Sequence, residues 1–258
     1  MTGSQALVLC REEGATCALA HPQGLVQVKR TMDKTRAAIT HAHEDYLKAI
    51  YHLEQERGRA TTTAVAEAMG VSAASATNML KRLAELHLVE YTPYQGVRLT
   101  EAGRMVALEV IRHHRLLELF LSRALGMPWD KVHDEAERLE HVISEDLEEA
   151  LAKALGDPVV DPHGDPIPTR EGTVAERQGF PLEEAPLDAP LSVVRVRCQE
   201  PEILRYLGTL GIYPGTRLHI RERAPFHGPL LIQVGEEQHA LARDIARCIY
   251  VEQVTGNE

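Results

Sequence analysis

His114 and His133 are each followed four residues later by a glutamate, Glu118 in the first stretch and Glu137 in the second. The second stretch continues to Glu140 and His141, three and four residues beyond Glu137. Residues three and four apart are neighbours on one face of an α-helix. Each stretch therefore predicts a helix carrying imidazoles and carboxylates on a single face. Two imidazoles and two carboxylates set against a further His and Glu are costly to bury unless a cation compensates them. Mixed nitrogen and oxygen donors suit a borderline first-row divalent ion. A single helical His is ordinarily a solvated polar residue, so the set carries this reading. Asp134, Glu135, Glu145, Glu148 and Glu149 read as solvated acids. His113 points about 100° away from His114 and reads as a non-ligand.

Upstream, Tyr46, Leu47, Ile50, Tyr51 and Leu53 follow helical spacing between Glu44 and Glu56, and Gly58 ends that helix. Thr61 to Thr63 can cap a second helix with Val65 and Met69 inward. Gly70 supplies a tight turn, and Ser72 can cap a third helix running to about His87, with Met79, Leu80, Leu83 and Leu86 buried. Val89 to Pro93 and Val97 to Thr100 read as a hairpin around Tyr94. Together these predict a winged helix-turn-helix. Its third helix presents Ser72, Ala74, Ser75, Thr77, Asn78, Lys81 and Arg82. Asn78 can pair bidentately with adenine and Ser75 can donate or accept. Thr77, Lys81 and Arg82 suit phosphates, with Arg98 and Tyr94 as backbone contacts from the wing. The same shape also serves protein contacts.

A long helix is expected from Thr100 to Leu125, another from near Trp129 past Ser144, and a further helical stretch to Leu155. Residues 157–190 are rich in Pro, Gly and Asp and read as a linker. Short β-like runs follow at Val193–Val196, Arg217–Arg221, Leu230–Val234 and Cys248–Val251, with a helix over Glu200 to Leu210. The domains expected are 41–101 for the winged helix, 102–156 for metal binding and dimerisation, and 191–258 for a small β-domain. Residues 1–40 read as an N-terminal extension, either disordered or not native, with Met32 opening the true chain.

The net charge of −10 counts against nucleic-acid binding in total, but the excess acid lies after Asp130 and the winged helix is nearly balanced. No apolar run approaches the roughly 18 residues of a membrane span, and no secretory leader is apparent. Cys10, Cys17, Cys198 and Cys248 form no zinc-finger spacing and read as reduced thiols of a cytoplasmic protein.

From Glu44 onward the chain resembles the diphtheria toxin repressor family of iron- and manganese-dependent regulators. The resemblance is carried by EDYLKAIYHLE, RHHRLLELFL, KVHDEAERLEHVIS and DPHGDPIP. It implies a mainly α fold with a small β part: the winged helix, a helical dimerisation domain and a C-terminal Src-homology-3-like barrel. It implies two ions per subunit, a homodimer and a roughly palindromic double-stranded operator, with no membrane or small organic substrate. One ion would lie on Asp45, Glu137, Glu140 and His141. The other would lie on His114, Glu118 and His133, completed from the barrel by Glu200 and, with Ile203 at the usual Gln position, by Glu202. Asp45 and Glu137 match the manganese-sensing branch, and hard oxygen donors favour Mn²⁺, with Fe²⁺ second. Lys48 departs from that branch, where some members carry Glu. Two other classes stay open from the residues: a di-metal carboxylate enzyme, and a metal-independent winged-helix regulator.

Overall fold

The computed structural model describes residues 39–92, 95–176 and 179–254. The N-terminal extension up to residue 38, with Cys10 and Cys17, and the wing-tip Tyr94 lie outside them.

Helix α1 (His41–Arg57) buries Tyr46, Leu47, Ile50, Tyr51 and Leu53 and stops at left-handed Gly58. Helix α2 (Thr62–Ala68) is capped by Thr61 and α3 (Ala73–Glu85) by Ser72, whose hydroxyl accepts from the Ser75 amide at 3.1 Å. Strands β1 (Val89–Thr92) and β2 (Gly96–Leu99) pair antiparallel as the wing. Gly96 has φ +109°, and a Cβ there would stand 2.4 Å from the Ala60 carbonyl. Only glycine lets the wing approach that closely.

Thr100 caps the long helix α4 (Glu101–Leu125), accepting from the Gly103 amide at 3.1 Å and donating to the His87 carbonyl at 2.8 Å. A Cβ at Gly103 would meet the Leu88 carbonyl oxygen at 1.9 Å. The long helix is thereby seated directly on the base of the wing. Helix α5 (Val132–Leu139) then ends earlier than its periodicity suggested. The chain turns through Glu140 and His141 before Ser144 caps α6 (Glu145–Ala154). Glu140 still has helical angles (φ −58°, ψ −27°), so the helical spacing persists for one residue after the hydrogen-bonded helix has finished.

The segment read as a linker is packed. Asp161, His163, Asp165 and Ile167 are buried. The Asp161 carboxylate accepts from the amides of His163 (2.8 Å) and Asp165 (2.9 Å), so the turn satisfies its own backbone. Arg112 on α4 donates to the Pro168 carbonyl at 2.8 Å, and Arg115 donates to that of Pro166. A Cβ at Gly164 would lie 2.0 Å from the Val194 carbonyl, which places the turn against the C-terminal domain. Pro and Asp signalled irregular backbone here, but irregular backbone is not always solvated.

The C-terminal domain comprises β3 (Phe180–Pro181), a 3-10 turn, β4 (Leu191–Val196), α7 (Pro201–Thr209), β5 (Arg217–Arg223), β6 (Leu230–Val234), β7 (Glu237–Leu241), α8 (Arg243–Cys248) and β8 (Ile249–Gln253). Its sheet has the order β3-β8-β4-β5-β6-β7, antiparallel throughout. Leu191, Val193, Ile220, Ile232, Ile249 and Val251 centre its core. Cys198 and Cys248 are joined as a disulfide, with Cα atoms 5.4 Å apart. The reading of these two as reduced thiols is therefore corrected. Val196 pairs with Ile249, so register rather than sequence spacing brings the two cysteines together.

Candidate metal centre and DNA-reading face

Helix α4 projects His114 and Glu118 towards His133 on α5. His114 Nε2 lies 3.1 Å from both Glu118 Oε1 and His133 Nδ1, and His133 Nδ1 lies 3.3 Å from the same carboxylate oxygen. Donors held at roughly 2.0–2.2 Å from one first-row ion stand roughly 3–3.5 Å from each other. The triad therefore has ligand spacing, and Glu118 is fully buried. Its other oxygen, Oε2, lies 3.7 Å from His163 Nδ1. Glu118 Oε2, His163 Nδ1 and Asp161 Oδ2 are all buried without a hydrogen-bond partner. Glu118, Asp161 and His163 converge closely enough to share an ion. Asp161 Oδ2 also faces Arg115 Nε at 3.7 Å, and buried polar atoms without hydrogen bonds, gathered this closely, make a lining that would suit a cation.

A second cluster joins α1 to the turn after α5. His141 Nε2 lies 2.9 Å from Asp45 Oδ1 and 3.4 Å from Glu140 Oε1, again at ligand spacing. The opposite ring nitrogen, Nδ1, donates to Glu44 Oε2 at 2.6 Å. A carboxylate behind a histidine fixes the tautomer of a metal ligand and raises its basicity. Glu137 faces this cluster through Lys48, whose ammonium donates to Glu137 Oε1 at 2.6 Å and Glu140 Oε1 at 2.7 Å. His114 Nδ1 donates to Glu140 Oε2 at 2.5 Å, so Glu140 stands behind the first cluster and within the second.

These contacts govern the protons. Hydrogen bonds to Asp45 and Glu44 push His141 up to about 10. Burial opposes charge on His114, but Glu118 and Glu140 outweigh it and raise the ring to about 9. His163 is likewise raised to about 9 against its burial, chiefly by Glu118. Burial holds Glu118 back, yet His114 draws it well below the usual carboxylate range. Asp161 is lifted to about 7 by burial and by the neighbouring carboxylates Glu118 and Asp165.

Glu200 and Glu202 do not join these clusters. Glu200 precedes α7 and Glu202 lies in its first turn, both solvent-exposed. Ile203 packs on the C-terminal core. That domain instead brings Arg195, Arg197 and Gln199 to a cavity of about 300 Å³, which is also lined by His114, Glu118, His133 and Glu137. Gln199 Nε2 stands 3.4 Å from Asp165 Oδ2, and Arg197 pairs with Glu56 of α1 at 2.6 Å.

Sequence reasoning missed Glu44, Asp161 and His163. DPHGD offers a His between two Asp within five residues, a donor-rich signal obscured by its Pro and Gly. Glu148, read as a solvated acid, is buried. It accepts from Arg112 Nε at 2.5 Å, and His113 Nε2 lies 3.2 Å away. His113 Nδ1 lies 3.0 Å from the Glu140 carbonyl, so this histidine braces the turn that carries Glu140.

On the proposed DNA face, Ser72, Ala74, Ser75, Asn78, Lys81, Arg82 and Arg98 are exposed. Thr77 is half-buried, and its hydroxyl donates to the Ala73 carbonyl at 2.7 Å. Ser72 is engaged as the helix cap, and Arg82 pairs with Glu85 at 3.0 Å.

A winged helix seated on a helical domain that gathers His, Glu and Asp at ligand spacing defines a metal-responsive DNA-binding regulator. The sequence model "Iron dependent repressor, N-terminal DNA binding domain" matches residues 38–97. "Iron dependent repressor, metal binding and dimerisation domain" matches 100–169, and the FeoA domain matches 180–253. The iron-dependent repressor IdeR of Mycobacterium tuberculosis is 33% identical over 223 residues, covering 82% of this chain and 96% of the relative. The regulator MntR of Bacillus subtilis is 35% identical over 105 residues, covering 41% of this chain and 73% of the relative. A solved "Manganese-dependent transcriptional repressor complex with manganese" superposes with a TM-score of 0.74 at 37% identity, covering 82% of this chain and all of that one. The chain belongs to the iron-dependent repressor family, that of the diphtheria toxin repressor. It is a metal-dependent DNA-binding transcriptional repressor and not an enzyme. Among the described residues no helix is long and apolar enough to cross a membrane.

Proposed function

We propose that this repressor is activated by Mn²⁺, with Fe²⁺ second, and holds two ions per subunit. One lies on Asp45, Glu140 and His141, with Glu137 at its edge. The other is centred on Glu118, with His114 and His133 on one side and Asp161 and His163 on the other. The observation that carries the reading is the contact of His141 with Asp45 and Glu44, because it ties the turn after α5 to the first helix of the DNA-binding domain.

A bound divalent ion supplies the double positive charge and directional bonding that let these carboxylates and imidazoles share one point. Asp45 and Glu137 offer hard oxygens, which favours Mn²⁺ over softer ions. Glu44 holds the His141 ring so that Nε2 faces Asp45. Asp45 and His141 together fix the angle of α1, and through it the placement of α3. In a homodimer that placement sets the distance between two recognition helices and must match the half-sites of a roughly palindromic double-stranded operator. Leu139, Val142 and Leu147 stand exposed on the helical domain, a surface suited to a second copy of the chain. Cytoplasmic repression of metal-uptake genes, with no membrane or small organic partner, completes the proposal.

Metal and DNA binding are then reciprocally linked. Moving the population from about 1% to 99% competent requires about 10⁴-fold preference, roughly 5.5 kcal/mol, which two ions supply jointly. Operator retardation under anaerobic conditions with Mn²⁺, Fe²⁺, Co²⁺ and Zn²⁺ tests the metal assignment. Mn²⁺ is expected to activate; activation by Fe²⁺ and not by Mn²⁺ overturns it.

A further inference from the structure

We propose that Trp129 is a positioning residue for His163, and that the C-terminal domain holds it in place through Tyr213 and Gly208. By this route the C-terminal domain completes the Glu118 site by aiming a ligand. The inference rests on the reading of the Glu118 site above, with Asp161 and His163 on its second side.

A neutral imidazole serves an ion only when one ring nitrogen carries the proton and the other turns its lone pair to the site. His163 is fully buried, and its Nε2 donates to the Trp129 carbonyl at 3.0 Å. That hydrogen bond leaves Nδ1 as the nitrogen with the lone pair. Nδ1 lies 3.7 Å from Glu118 Oε2 and has no hydrogen-bond partner, so the unpaired atom faces the cluster. A hydrogen bond behind a metal-ligating histidine fixes its tautomer and orientation, and losing such a partner weakens metal binding by about 10–100-fold. The Trp129 indole adds a second restraint. It stacks on the His163 ring, with centroids 5.6 Å apart and planes 23° apart, and so fixes the plane in which Nδ1 lies.

Trp129 is held in turn from the C-terminal domain. It sits between α4 and α5, yet it packs on the core of the C-terminal sheet. The Tyr213 ring lies 4.8 Å from it, tilted by 51°. The Tyr213 hydroxyl donates to the Gly208 carbonyl at 3.4 Å. A Cβ at Gly208 would stand 2.8 Å from that hydroxyl and 3.5 Å from Trp129 Nε1, so a side chain there would press on both rings. Arg205 of α7 faces the neighbouring Asp130 at 3.6 Å. The same domain fixes the His163 backbone, whose carbonyl accepts from the Val196 amide at 2.8 Å. Backbone and ring of one ligand are thus both held by the C-terminal domain, although Glu200 and Glu202 are exposed to solvent.

The test is calorimetric Mn²⁺ titration of the full-length protein. Removing the indole frees the ring plane of His163 and the carbonyl that the indole anchors. Trp129→Ala is therefore expected to weaken one of the two bound ions by about tenfold and to spare the other. Trp129→Phe, which keeps a stacking ring, should stay close to wild type. Tyr213→Ala and Gly208→Val should weaken the same ion as Trp129→Ala. In a His163→Ala background the effect of Trp129→Ala should vanish, because it acts through that ring. Unchanged Mn²⁺ affinity in Trp129→Ala overturns the proposal, and so does equal weakening with and without His163. Should Trp129→Ala fail to fold, Tyr213→Ala is read in the same way. Trp129 is also the chain's single tryptophan, and paramagnetic Mn²⁺ bound beside its stacked partner should quench its emission. Glu118→Gln separates this proposal from the reading beneath it, since that variant should lose one ion and the quenching together. An unchanged ion count in Glu118→Gln removes the Glu118 site, and the role of Trp129 with it. An ion lost in Glu118→Gln, with no quenching in wild type, keeps the site and overturns the role of Trp129.

Discussion

His141, His114 and His163 hold their protons up to about 10, about 9 and about 9 respectively, protons that an ion at the proposed sites would displace. Their raised values follow from the same carboxylates that would serve as ligands. Mn²⁺ affinity should therefore climb with pH, by up to about tenfold per unit for each proton released, over the range approaching pH 9. Calorimetric titrations in buffers of different ionisation enthalpy measure the released protons; an affinity flat with pH would contradict the proposed ligands. Glu148 works in the opposite direction. Burial opposes its charge, but hydrogen bonds from His113 and Arg112 prevail and hold it at about 2, below the ordinary 4.5. Because its folded value is depressed, its contribution is complete above about 4.5 and is lost as pH falls towards 2. Glu148→Gln should cost roughly 2–4 kcal/mol near neutral pH in urea unfolding, since it breaks a buried pair and loosens the brace on Glu140. A loss no greater than that of an exposed substitution would refute the bracing role. The site was partly legible at this scale. His114, Glu118, His133, Glu137, Glu140 and His141 announce themselves by helical spacing. Glu44, Asp161 and His163 do not, because their proximity is made by tertiary packing rather than by any local period.

Among the elements, α3 and the wing are the proposed carriers of the operator contacts. Asn78 and Lys81 are both exposed on α3. Asn78→Ala should relax sequence preference at one position by about 1–3 kcal/mol, and Lys81→Ala should weaken all sequences alike and reduce the salt slope by about 1. Anisotropy titrations over a series of operator variants and salt concentrations distinguish the two; interchanged effects would show that α3 docks in another orientation. The helices were legible from Tyr46, Leu47, Ile50 and their counterparts because one buried face imposes the 3.6-residue period. The end of α5 was harder to see. Glu140 keeps helical angles while the hydrogen-bonded run has ended, so its neighbours retain the spacing of a helix that is no longer there. Ser144 was the available signal, since a serine that caps α6 requires a break before it.

Across the whole molecule, the parts meet at the proposed metal centre. The DNA-binding domain contributes Asp45 and Glu44, the helical domain contributes the histidines and most of the carboxylates, and the packed 161–167 turn contributes Asp161 and His163. The C-terminal domain reaches the same region through Arg197 to Glu56 and Gln199 to Asp165. Its fold class was legible from short β-like runs and glycines. Its route to the site was not, because Glu200 and Glu202 point to solvent while Arg195, Arg197 and Gln199 line the cavity. The Cys198–Cys248 bridge was hidden for a related reason, its partners being neighbours only through the β4–β8 register. The central claim is that Asp45 transmits metal occupancy to the DNA-binding domain. Its most direct test is anisotropy of a labelled promoter fragment with wild type and Asp45→Ala, each with and without Mn²⁺, with sedimentation to confirm an unchanged oligomer. Mn²⁺ is predicted to tighten operator binding by wild type and to leave Asp45→Ala weak. An equal Mn²⁺-dependent gain in both proteins would contradict the account.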